Sequence, residues 1–157
     1  MNKIFSARTA VLLSLGIAFG TAVAAPPTIY LSCTVNGVGV FEEEVEKISE
    51  TVEVEVEEKP WLTIVLRGEQ LGQYLSAEDI EDGDIRSTAI SNRSNGDEWN
   101  LTVRTVNAGQ RNYVASVRIN RINGSFTYSR KGTTKSGMSF DDNVVGTCTK
   151  RSRTRKF

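Results

Sequence analysis

Valine and glutamate alternate through Val52-Glu53-Val54-Glu55-Val56-Glu57, which predicts a strand with one dry face and one wet face. The same period of two returns along the chain. Leu101 and Val103, continued by Thr105, oppose Thr102 and Arg104. Tyr113, Ala115, Val117 and Ile119 oppose Val114, Ser116, Arg118 and Asn120. Phe126 and Tyr128 oppose Thr127 and Ser129. Trp61 to Leu66 is denser in apolar residues and predicts a more deeply buried strand, with Pro60 tolerable at its start.

Turn chemistry separates these runs. Asn95-Gly96-Asp97, Asn107-Ala108-Gly109 and Asn123-Gly124 supply residues that tolerate positive φ. Asn123-Gly124 is the clearest hairpin signal, joining a strand that ends near Arg121 to Ser125–Arg130. Asn36-Gly37 and Lys131-Gly132 are read as strand ends. Residues 41 to 48 leave two readings open. Phe41, Val45 and Ile48 fit a helical stripe through glutamates, while the β-branched run that follows favours strand. Ser76 could cap a single helical turn from Ala77 to Ile80.

Seven or eight short strands, with turns about every ten residues, predict an all-β fold. The expectation is an antiparallel meander closing into a small barrel or sandwich, stapled by one disulfide. Closure would bring the first and last strands together and let Cys33 join Cys148 across the seam. The enclosed loop exceeds 100 residues, so such a bond stabilises the fold by up to about 5 kcal/mol.

The segments before and after this domain are of a different kind. Lys3 and Arg8 precede an uncharged apolar run from Thr9 to Val23, and Ala22-Val23-Ala24 offers a cleavage site. Residues 1–24 are therefore expected to be a signal peptide, 25–149 a single β domain and 150–157 a basic C-terminal tail. The apolar run is too short to favour a permanent membrane span. Export to the periplasm or the medium is the expected destination, and the oxidising compartment suits the disulfide.

The chain has no formal net charge, but its charge is unevenly spread. Residues 26–98 hold 17 acids and 5 bases; residues 99–157 hold 2 acids and 12 bases. The two halves either interleave in one sheet and pair across strands, or form opposite faces of which one meets a charged partner.

Catalytic chemistry is thinly supplied. There is no histidine, which removes Ser-His-Asp and Cys-His machinery and the commonest general base near neutral pH. With both cysteines paired, thiolate chemistry goes too. A carboxylate pair could serve a hydrolase, but the acids lie in a solvated strand face or a loop. The expectation is a protein that is not an enzyme, carries no cofactor and acts as a monomer. Asp79, Glu81, Asp82 and Asp84 form the one cluster with calcium-ligand character, although their spacing fails the EF-hand pattern. Lys150, Arg151, Arg153, Arg155 and Lys156 form a basic tail suited to an anionic surface, a polyanionic polymer or the chain's own acidic half. Arg104, Tyr113, Arg118, Arg121, Phe126, Tyr128 and Arg130 mix cations with aromatics. Alternation explains the aromatics as core, and no nucleic acid is expected in an exported setting.

Val117-Arg118-Ile119-Asn120-Arg121-Ile122-Asn123-Gly124-Ser125-Phe126, with Cys33 and Gly146-Thr147-Cys148, resembles small exported proteobacterial proteins. These share a signal peptide, an Ile-x-Arg-x-x-Gly hairpin and a cysteine near the C-terminus. The resemblance implies a β-rich periplasmic domain and no reaction. In architecture alone the chain is similar to periplasmic lysozyme inhibitors, which are small disulfide-bearing barrels; Tyr128–Phe140 does not align with their signature. The functional expectation is a domain that binds an envelope protein or polymer. The alternative is a calycin-like carrier with an apolar ligand among Trp61, Phe126 and Tyr128.

Overall fold

The computed structural model describes residues 27–78, 81–82, 85–107, 111–134 and 136–152; the expected signal peptide lies outside them. Ten strands form one antiparallel sheet: β1 (Ile29–Phe41), β2 (Glu44–Glu57), β3 (Thr63–Arg67), β4 (Gln73–Ser76), β5 (Glu81–Asp82), β6 (Ile85–Asn92), β7 (Glu98–Asn107), β8 (Arg111–Asn120), β9 (Ser125–Thr134) and β10 (Ser139–Lys150). Their order across the sheet is β4-β3-β2-β1-β10-β9-β8-β7-β6-β5. The sheet curls into a half-barrel in which β4 approaches β7.

The period-two pattern determines what fills it. Leu31, Cys33 and Val35 of β1 share the inner face with Val52, Val54 and Val56 of β2 and with Ile64 and Leu66 of β3. Leu101 and Val103 of β7, Val117 and Ile119 of β8, and Phe126 and Tyr128 of β9 close the same core. Each such side chain contributes about 1.5–3 kcal/mol by leaving water. Trp61 departs from the expected burial: it is 52 % exposed, and the buried run begins at Leu62.

The first and last strands do meet. They pair along the whole length from Leu31↔Lys150 to Phe41↔Phe140, and Cys33 bonds Cys148 in direct register. This pairing lies in the middle of the sheet rather than at a closing seam. The sheet's outer strands are β4 and β5, of four and two residues.

Residues 41–48 resolve as strand, turn and strand. Val40 pairs with Val45 and Phe41 with Glu44 around Glu42-Glu43, whose first residue takes φ 55°. The supposed helical stripe is split between faces, because Ile48 points inward and Val45 is 69 % exposed. Nor do Asn36-Gly37 and Lys131-Gly132 end strands, since β1 and β9 run through both. Gly37 faces Val144 so closely that a β-carbon would lie 2.2 Å from the Asn143 carbonyl oxygen. Gly132 is in the same position against Asn112. At both places the missing side chain lets curled strands approach instead of breaking them. Ser76 ends β4, and its hydroxyl accepts a hydrogen bond from the Glu78 amide. The remainder of the helical turn expected there runs into residues 79–80, outside the described residues.

β3 pairs with β2 only along Glu53–Glu57, so the β1–β2 hairpin reaches beyond β3 and β4. The Glu50 carboxylate ties the shorter β3–β4 turn to this arm by accepting the amides of Glu69 (2.6 Å) and Leu71 (2.8 Å). One wall of the half-barrel is thus long and the facing wall short.

Candidate functional site

Along the inner face, chemistry changes from one end to the other. Near the start of β1 the wall is Leu31, Val54, Val56, Ile119 and Phe126. Toward the β1–β2 turn it becomes polar. Four residues stand in register across adjacent strands there: Arg130 of β9, Asp142 of β10, Gly39 of β1 and Glu46 of β2. Asp142 is only 8 % exposed. Its Oδ2 accepts from Arg130 Nε at 2.8 Å and lies 2.5 Å from a second guanidinium nitrogen. The same guanidinium lies 5.1 Å from the centre of the Phe140 ring, within cation–π range. Tyr113 and Phe140 flank Gly132 in the adjoining row, with ring centres 6.4 Å apart. Gln73, on short β4, reaches across to donate to the Tyr113 hydroxyl at 3.0 Å. Burial, the largest influence, pushes the Tyr128 hydroxyl above the ordinary tyrosine range.

Two cavities meet at Arg130 and Phe140. One, of about 560 Å³, lies under the β1–β2 arm and is bounded by Gly39, Phe41, Glu46, Ile48 and Asp142. The other, of about 650 Å³, lies between the short wall and β6–β8, against Leu66, Gln73, Val103 and Tyr113. Together they form a trough along the open side, dry at its base and charged at one end. A third cavity, of about 580 Å³, lies at the opposite end beside Trp99, Ile119, Arg121 and Lys150.

The Ile-x-Arg-x-x-Gly residues line or border this third cavity, and each has a structural task. Ile119 is core. Arg121 stacks on Trp99, 4.7 Å from the ring centre, and pairs with Glu58 at 3.0 Å. Glu58 also accepts the Trp99 indole N–H at 2.8 Å. Gly124 takes φ +73° and presses on the backbone of Cys148.

The acidic and basic halves form separate blocks of adjacent strands, and ion pairs form both within and between them. Arg121 with Glu58, Arg118 with Glu98 and Arg151 with Glu53 all join a base from the second half to an acid from the first. Hydrogen bonding from Arg118 holds the Glu98 carboxyl below its usual range, helped by Asn100. Of the basic tail, Lys150 ends β10, and Arg151 is held by Glu53 and by its own amide bonding to the Tyr30 carbonyl. Arg153, Arg155 and Lys156 lie outside the described residues. Of the calcium candidates, Glu81 and Asp82 form β5, while Asp79 and Asp84 lie outside the described residues. Among the described residues no group of three or more acids, cysteines or histidines is placed to hold a metal. No described helix is long and apolar enough to cross a membrane.

Arg130 and Asp142 were not singled out as a site by sequence. The signal is present in the phase of alternation: Phe126, Tyr128 and Arg130 occupy successive inward positions, as do Cys148, Gly146, Val144, Asp142 and Phe140. A charge arriving in an inward phase on two adjacent strands marks a polar patch in the core wall.

No known family model matches the chain, and no curated protein shows significant similarity to it.

Proposed function

We propose that this chain is a non-enzymatic β domain of the periplasm or the secreted fraction, and that its trough holds a segment of an envelope protein or polymer. The carrying observation is the trough itself. An inner wall that turns from apolar to charged, beside two adjoining cavities, suits a ligand with both kinds of surface. The disulfide supports the oxidising location. Binding is favoured over catalysis because Arg130 and Asp142, the least exposed charges of the trough, engage each other. Gln70 likewise donates to Glu46. A carrier with its ligand among Trp61, Phe126 and Tyr128 is disfavoured. The two rings of β9 are packed in the core, Trp61 is exposed, and none of the three borders the cavities described.

The test is capture from envelope extract on the immobilised, oxidised protein, beside a Glu46→Lys variant of unchanged circular dichroism. A partner retained at low salt, released at high salt and lost to the variant is the expected result. Retention that ignores both salt and the variant removes the trough from the function.

A further inference from the structure

We infer that the cavity under the β1–β2 arm receives a cationic side chain, a lysine or arginine of a partner protein, between the carboxylates of Asp142 and Glu46. The inference rests on the trough being the binding site and names what enters its charged end.

Gly39 is the reason. It stands in register between Asp142 on β10 and Glu46 on β2, and all three belong to one inward row. The two acids are therefore two strand spacings apart, about 10 Å between backbones. Gly39 puts no side chain between them, so the Asp142 carboxylate and Ile48 close over its Cα and border the cavity. A β-carbon built there would lie 3.0 Å from Asp142 Oδ1 and 3.4 Å from Ile48 Cδ1. Both Arg130 contacts fall on the other oxygen, Oδ2, so Oδ1, on the Gly39 side, takes neither of them. Glu46, from the far side, accepts from Gln70 through Oε1.

Charge and shape select the occupant. Glu44, Glu46 and Asp142 outnumber Arg130 around this cavity, and Glu42-Glu43 form the adjacent turn. The resulting field draws cations. Phe41, Ile48 and Phe140 supply apolar walls that would cover the methylene stem of lysine or arginine while its head reaches the carboxylates. A bare divalent ion is a poorer occupant, because calcium takes six to eight oxygens at about 2.3–2.6 Å. Arg151, the described tail cation beyond β10, cannot serve. It is held by Glu53 and lies nine residues along from Asp142, about 30 Å in a strand.

The probe is a set of blocked tripeptides, leucine–X–leucine with X lysine, arginine, norleucine or glutamate, titrated into isotope-labelled oxidised protein. Amide resonances of Gly39, Ile48 and Phe140 report the site. The lysine and arginine peptides should shift these amides in a salt-sensitive way. Norleucine and glutamate peptides should do so at least about fivefold more weakly. Gly39→Ala, whose new methyl meets side-chain atoms rather than backbone, should remove the shifts with circular dichroism unchanged. Equal shifts from lysine and norleucine peptides would overturn the cation assignment while leaving the trough as a binding site. No shift from any peptide, with partner capture still sensitive to Glu46→Lys, would also overturn it and keep the trough. If capture fails as well, both readings fall. Concentration-dependent shifts without peptide, abolished by deleting residues 153–157, would assign the site to the tail of a second copy and overturn the partner.

Discussion

The Gly124 carbonyl accepts a 2.7 Å hydrogen bond from the Cys148 amide, and a β-carbon on Gly124 would lie 2.2 Å from the Cys148 carbonyl oxygen. The β8–β9 turn is thus seated on the strand that carries the disulfide. Its left-handed backbone and this contact both demand glycine.

Gly124→Ala should therefore cost about 2–4 kcal/mol, combining the left-handed penalty with displacement of β10. Urea unfolding of the oxidised protein measures it. A loss below 0.5 kcal/mol, to order of magnitude, would show that the turn yields without disturbing Cys148.

Replacing Cys33 and Cys148 together by alanine should lower stability by about 2–5 kcal/mol without changing the fold. The backbone pairing of β1 with β10 extends on both sides of the bond and does not depend on it. Circular dichroism should keep its β signature while the urea midpoint falls. Loss of that signature in dilute buffer would mean the bond creates the central pairing rather than reinforcing it.

Arg130→Met alone leaves the little-exposed Asp142 carboxylate facing apolar neighbours and should cost about 3 kcal/mol. Adding Asp142→Leu should recover part of that loss. A double-mutant cycle reads the coupling, and simple additivity of the two changes would contradict the pairing as described.

Tyr128 sets an alkaline limit. Its hydroxyl ionises with more difficulty in the fold than in the unfolded chain, chiefly because it is buried. The raised folded value means this contribution is fully present below about pH 10, the unfolded tyrosine value, and is lost as pH rises toward the folded one. Tyr128→Phe should flatten that alkaline decline while costing less than about 1 kcal/mol at neutral pH, since only a 3.5 Å contact with Gln73 is lost. An unchanged decline would place its origin in other groups.

At low pH the sign reverses for Glu98. Its lowered folded value gives a contribution present above the ordinary carboxylate range and lost as pH falls through the folded value. Arg118→Gln should shrink the acid-side slope of stability, and an identical slope in the variant would refute the assignment.

Strands and their inward faces were legible because burial on one face writes a period of two into the chain. Val52, Val54 and Val56 and the run from Tyr113 to Ile119 announce themselves in this way. Which strands lie outermost was not legible. β4 and β5 are too short to show a period, and their position follows from β1 meeting β10 elsewhere. Local propensity reads Gly37 and Gly132 as breaks because it carries no record of the neighbouring strand that needs the space. The trough was hidden for a related reason. Its charged row has one residue on each of four strands, and only the register assembles them.

The central pairing of β1 with β10 also governs the order in which the chain folds. A chain synthesised amino end first has β1 to β4 ready to form a hairpin array, yet the edge of β1 that pairs with β10 stays uncovered until the final strand arrives. Contacts so distant along the chain slow folding. The two thiols therefore meet only when the last strand has taken its place beside the first.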